Sequence, residues 1–177
     1  MKILAELTEK SLGIEPAEEI LEKEYRLRKS ARAVLVNDKG EVSLQNVSRL
    51  GFYKLPGGGV ELGETEEDAL RREVHEEVGC AITDIHELGV VMQYFTRPRL
   101  LHIAYGYLAQ VDGAVGEPSF EEGEIADGMK PLWCSFEEAR TYIDPTQPLD
   151  HYEGQFIRKR ERIFLDEAAR QLGMGLV

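Results

Sequence analysis

The chain has 177 residues, enough for one domain with short additions at its ends and a real hydrophobic core. It is 42% hydrophobic and 31% charged, the balance of an ordinary globular protein. A net charge of -12 argues against nonspecific attachment to nucleic-acid backbone or anionic membrane, and admits an anionic substrate only where a cation mediates the contact.

The opening MKILAELTEK is interrupted by Glu6 and does not read as a signal peptide. No run approaches the ~18 apolar residues of a membrane span. Cys80 and Cys134 both sit in apolar, strand-like contexts and read as buried reduced thiols, not as a disulfide or zinc site. A reducing, cytoplasmic setting is the resulting expectation.

Along the chain, Ile3, Ala5 and Leu7 alternate with polar neighbours and predict a short strand within residues 1–14. Pro16 followed by AEEILEKEY predicts a brief helix. ARAVLVNDKGEVSLQNV then reads as strand, turn at residues 37–40, and strand, with GFYKLP as a further extended stretch. Thr65 is the expected cap of a helix over residues 65–78, with Asp68 completing a capping box and Gly79 ending it. Leu70, Val74 and Val78 give that helix a buried stripe. AITDIHELGVVMQYF and LLHIAYGYLAQV predict two long strands joined by TRPR, and residues 112–129 a glycine- and glutamate-rich loop. KPLWCSF predicts a strand, SFEEARTYI a short helix capped by Ser135, and residues 151–173 a long C-terminal helix. Within it, the RKRER run at residues 158–162 reads as a solvated face, not as a nucleic-acid surface. Strands interspersed with helices make an α/β domain.

On the helix over residues 65–78, Glu73, Glu76 and Glu77 fall at i, i+3 and i+4 and share one face. Three carboxylates at that spacing suit a hard divalent cation, Mg²⁺ before others, which commonly joins a few carboxylates to substrate phosphates. The bland alternative is a solvated acidic face. The surrounding pattern decides between them: Gly58, Glu64, Arg72, Glu73, Val74, Glu76, Glu77 and Gly79 stand at fixed spacings over 22 residues. This stretch resembles the Nudix box, the signature of the Nudix hydrolase family. Cys80 stands where the family usually has an aliphatic residue, and a cysteine is buriable there.

The resemblance implies an α/β/α sandwich with a mixed central sheet, the box forming a loop–helix–loop. It implies cleavage of a nucleoside diphosphate linked to another group, with Mg²⁺ (or Mn²⁺) as cofactor. By matching position, Glu73, Glu76, Glu77 and the carbonyl of Gly57 look like metal ligands. Gly58 and Gly59 look like the backbone that approaches the diphosphate. Arg72 and Glu64 look structural, Arg72 orienting a box carboxylate and Glu64 holding the loop with Arg72 or Arg71. The general base is not at a fixed place in the family: Glu73 or Glu76 could serve, or a later loop glutamate, for which Glu124 or Glu122 is favoured over Glu121. The implied division is an N-terminal extension (1–24), the Nudix domain (25–148) and a C-terminal helix (149–177) packed on the domain or on a partner subunit. Such terminal elements suggest a homodimer without requiring one.

Candidate base-binding aromatics are Phe52, Tyr53, Tyr94, Phe95, Tyr105 and Tyr107, of which Tyr94 and Tyr105 are carried forward. Arg97 and Arg99 flank Pro98 and are candidate phosphate contacts. The four histidines show no ligand spacing. No subfamily signature is legible, neither the proline-rich sequence after the box of NADH pyrophosphatases nor that of coenzyme A pyrophosphatases. The expected partner is a nucleotide-type small molecule, with neither nucleic acid nor membrane. The competing reading is a non-hydrolytic nucleotide-binding module on the same scaffold, since fold does not fix function. Such modules usually lose box carboxylates, and here all are present.

Overall fold

The computed structural model describes residues 1–16 and 24–174. The helix expected from AEEILEKEY falls almost wholly outside the described residues. In chain order the elements are β1 (Ile3–Thr8), a 3-10 turn (Lys10–Leu12), β2 (Arg26–Val36), β3 (Val42–Val47), β4 (Phe52–Lys54) and α1 (Glu66–Val78). Then come β5 (Ala81–Phe95), β6 (Leu100–Asp112), α2 (Glu122–Ala126), β7 (Met129–Cys134), α3 (Phe136–Tyr142) and α4 (Tyr152–Gln171).

The strands form one mixed sheet in the order β1-β5-β6-β2-β3-β4, with β7 on β3. β1 lies parallel to β5 and β2 parallel to β6, whereas β5/β6, β2/β3, β3/β4 and β3/β7 are antiparallel. β2 shows why the sheet has a helix on each face. Its side chains alternate, so Ala31, Ala33 and Leu35 pack with Ala69, Leu70, Val74 and Val78 of α1. Val34 belongs to the other cluster, with Phe136 and Ala139 of α3 and Phe156, Phe164 and Leu165 of α4. The result is the α/β/α sandwich that the box implies. Each fully buried Leu or Val contributes about 1.5–3 kcal/mol, so the two clusters supply much of the drive to fold.

Two expectations need correction. The 112–129 stretch is not all loop, because α2 forms within it, capped reciprocally by Glu121 and Glu124. The RKRER run is not a solvated face. Arg158, Arg160 and Glu161 are buried, since α4 lies against the sheet along most of its length. Arg158 donates to the carbonyls of Gln147 (2.8 Å) and Asp144 (3.4 Å), and Arg160 to Gln93 Oε1 (2.9 Å). Cys80 and Cys134 are buried and free, and burial pushes both thiols up to about 11. No helix among the described residues is long and apolar enough to cross a membrane.

Candidate active site

α1 starts where its sequence says it should. Thr65 Oγ1 accepts from the Asp68 N–H (3.1 Å), and Asp68 Oδ2 accepts from the Thr65 N–H (3.2 Å). With the start fixed, helical periodicity carries Glu73, Glu76 and Glu77 past the loop of Gly57, Gly58 and Gly59. That loop is tied to β2, since Ala33 N–H donates to Pro56 O (2.9 Å) and Ala31 N–H to Gly58 O (3.0 Å). The loop and helix then meet directly: Gly57 N–H donates to Glu77 Oε2 at 2.7 Å. A Cβ on Gly58 would lie 2.2 Å from Glu73 Oε1, so only glycine leaves room for that carboxylate.

Each carboxylate has a cationic neighbour. Glu77 is fully buried and pairs with Lys54 Nζ at 3.0 Å. Arg72 spreads its donors over Glu64 (2.8 and 3.1 Å), Gly59 O (3.0 Å), Glu73 (2.9 Å) and Glu76 (3.2 Å). One guanidinium thus joins the loop to the acidic face. The Arg72 bond holds Glu64 down at about 2. Burial pushes the Glu77 carboxyl up, against the pull of Lys54, Arg32 and the Gly57 N–H. Glu73 is also raised, by burial and by repulsion from Glu77, against Arg72 and Arg32.

With these partners engaged, no three His, Cys, Asp or Glu side chains among the described residues converge into a ready ligand set. The donor chemistry nevertheless fits a hard divalent cation. All three box carboxylates line one cavity of about 310 Å³ with Gly57, Gly58 and Gly59. Two of them are raised by desolvation, which is the condition a bound cation relieves.

Glu124 lines this cavity, as does Glu121, the residue that sequence reasoning passed over; Glu122 does not. A second cavity of about 340 Å³ adjoins it, sharing Arg28, Arg32, Lys54, Glu121 and Glu124. Phe52 and Phe95 line it, and the His151 ring packs against Phe52 with centroids 5.7 Å apart.

Tyr94, Tyr105, Arg97 and Arg99 line neither cavity. Strand parity explains the tyrosines. Phe95 and His102 face the α4 side, where the second cavity opens, and Tyr94 and Tyr105 sit at the odd-numbered offset on the other side. Tyr94 packs edge-on to Tyr25, and Lys29 lies over the Tyr105 ring. Arg97 and Arg99 are exposed at the β5–β6 turn, with Arg97 stacked 4.3 Å over the Tyr152 ring.

Sequence reasoning missed Arg28, Arg32, Lys54, His102, His151 and Arg160, all lining the second cavity. A signal existed for Arg32: an arginine amid the apolar ARAVLV is out of place on a buried strand unless it does something. His102 accepts or donates to Ser30 Oγ at 2.8 Å, and burial beside Arg160, Arg32 and Arg28 pushes it down to about 2. It is therefore neutral.

A model of the NUDIX domain matches residues 26–158. The NAD-capped RNA hydrolase NudC of Haemophilus influenzae is 31% identical over 120 residues, covering 68% of this chain and 40% of that protein. NudC of Mycobacterium tuberculosis is 35% identical over 92 residues, covering 52% of this chain and 27% of the relative. The chain thus spans two fifths or less of the length of these curated relatives. Among solved structures, a MutT NUDIX hydrolase from Burkholderia pseudomallei is 28% identical with a TM-score of 0.55, covering 80% of this chain and 98% of that one. The MutT protein of Methanosarcina mazei Go1 is 25% identical at the same TM-score of 0.55, covering 85% and 99%.

Proposed function

Because the chain belongs to the NUDIX domain family, we propose that it is a Mg²⁺-dependent pyrophosphohydrolase cleaving a diphosphate linkage in a nucleotide or nucleoside diphosphate derivative. The observation that carries this reading is the facing of Glu73, Glu76 and Glu77 onto the Gly57–Gly59 loop within one cavity. The names of the curated relatives, hydrolases of NAD-capped RNA, support the reaction class.

Glu73, Glu76, Glu77 and the Gly57 carbonyl would hold Mg²⁺ (or Mn²⁺), which when bound neutralises diphosphate charge and acidifies a water. Arg72, anchored on Glu64 and the Gly59 carbonyl, would orient Glu73 and Glu76 for that cation. Lys54 and the Gly57 N–H fix the Glu77 orientation. Gly58 and Gly59 let the diphosphate approach the backbone. Glu124 is the proposed base, accepting the proton of the attacking water. It lines both cavities, whereas Glu122 lines neither. Glu73 or Glu76, lining the same cavity from α1, is the alternative base. Phe52, Phe95 and His151 would receive an apolar or aromatic part of the substrate.

The test is a substrate panel with Mg²⁺: nucleoside triphosphates and their oxidised forms, ADP-ribose, dinucleoside polyphosphates, nucleotide sugars and a 5'-NAD-capped RNA. The capped RNA belongs there because of the relatives' names, although a charge of -12 disfavours long RNA contacts. Cleavage at a diphosphate of at least one member is expected. Tight binding with no cleavage of any member would support the non-hydrolytic module instead.

A further inference from the structure

Glu9 is a buried carboxylate outside the box, 1% exposed, in the N-terminal extension. Strand pairing sets its place. β1 runs parallel to β5 with Thr8 beside Tyr94, so the next residue, Glu9, arrives beside Phe95 and Thr96. The 3-10 turn then closes on it: the Leu12 and Ile14 N–H groups donate to the Glu9 carbonyl at 3.0 and 2.9 Å. Three donors converge on one side-chain oxygen, Glu9 Oε1. They are the Thr96 N–H at 2.7 Å, the Thr96 hydroxyl at 2.8 Å and the Tyr152 hydroxyl. Burial works against the charge, but the bonds from Tyr152 and Thr96 outweigh it and hold the carboxyl below its usual range.

Both donor residues adjoin walls of the second cavity. Thr96 follows Phe95 and Tyr152 follows His151, and Phe95 and His151 line that cavity. Leu100 lines it from the far side of the same β5–β6 turn, and Glu153 and Ile157 from the first turns of α4. The Phe95 ring also lies 6.0 Å from that of Tyr152. The turn and the start of α4 belong to separate elements, and one carboxylate from a third segment ties them together. A fold that needed only to fill this space would do so with an apolar residue, because a buried charge has to recover its lost hydration. The geometry points to Glu9 as a positioning residue: through Thr96 and Tyr152 it holds Phe95 and His151 where the apolar or aromatic part of the substrate docks. The N-terminal extension thereby takes part in substrate affinity without touching the substrate. This rests on the reading of the second cavity as a substrate pocket; the holding itself requires no hydrolysis.

Glu9→Ala removes the shared acceptor, whereas Glu9→Gln keeps an Oε1 that can accept the same bonds. On a cleaved member of the substrate panel, Glu9→Ala is expected to raise KM at least about tenfold with kcat within about twofold of wild type, the pattern of lost uniform binding. Glu9→Gln should stay within about threefold of the wild-type KM. A merely structural role would instead lower the folded fraction, and with it kcat, at unchanged KM. Hydrogen–deuterium exchange without substrate gives the second readout. In Glu9→Ala, residues 94–100 and 151–157 should exchange at least about tenfold faster, while α1 exchanges as in wild type. Should Glu9→Ala not fold, Tyr152→Phe, which removes one of the three donors and keeps the ring, takes its place with a KM rise of at least about threefold. An unchanged KM in the variant that folds would overturn the inference, as would exchange accelerated equally in α1 and in the cavity walls. Failure of the pyrophosphohydrolase reading is distinct: wild type would cleave no panel member, and the exchange measurement would still decide the role of Glu9.

Discussion

Gly57 and Gly58 are neighbours that exclude a side chain for different reasons, and their variants should separate fold from chemistry. Gly57 has φ +130, and a Cβ there would lie 2.1 Å from the Ala31 carbonyl, which is fixed backbone. Gly57→Ala should therefore destabilise the protein by more than about 2 kcal/mol, readable as a fall in urea midpoint. At Gly58 the obstacle is the end of the Glu73 side chain. That end can move, so Gly58→Ala is expected to stay folded within about 1 kcal/mol while turnover falls more than about tenfold, the carboxylate having lost its place. His102 supplies a pH prediction at the same scale. Its folded-state value of about 2 lies below the ordinary 6.5, so between them the unfolded chain binds one proton more. The contribution is complete above about pH 6.5 and is lost as pH falls, at about 1.4 kcal/mol per unit. His102→Gln removes this dependence. The stability gap between wild type and variant should narrow by about 2 kcal/mol from pH 7 to pH 5, measured by urea unfolding. A constant gap would mean that His102 titrates normally.

At the scale of elements, α1 depends on its first turn. Thr65→Ala removes one half of the reciprocal cap and should cost about 1 kcal/mol in unfolding free energy. The caps are also what made the sequence readable. Thr65 with Asp68 and Ser135 with Glu138 mark the starts of α1 and α3 by local chemistry, and both form as written. α2 escaped notice because five residues containing Gly123 carry no periodic signal, although Glu121 and Glu124 stand at capping-box spacing. The faces of β5 and β6 were harder. Around the tyrosines, in VVMQYF of β5 and IAYGYLA of β6, apolar residues follow one another with little polar alternation, so Tyr94 and Tyr105 could not be separated from Phe95 by pattern. α4 misled for a third reason: charged residues are rarely buried, so RKRER reads as surface, yet Arg160 and Glu161 lie inside.

At the scale of the whole molecule, the sandwich places two kinds of charge against each other. α1 on one side brings carboxylates to the Gly57–Gly59 loop, and β2 with α4 on the other brings Arg32 and Arg160 to the adjoining cavity. The acidic half was legible because its residues are close in sequence and fixed by one helix. The basic half was not, because residues 28, 32, 54 and 160 meet only through the β2–β3 and β3–β4 pairings and the docking of α4. The central claim is that the α1 carboxylates drive Mg²⁺-dependent cleavage of a diphosphate. Glu76 is the cleanest probe, since its side chain is one-third exposed, whereas removing Glu77 would leave Lys54 half-buried and unpaired. The deciding measurement is kcat of Glu76→Gln relative to wild type on a cleaved diphosphate substrate with saturating Mg²⁺, folding verified by circular dichroism. The account predicts a loss of at least about 100-fold in a folded protein. Wild-type turnover in that variant would contradict it.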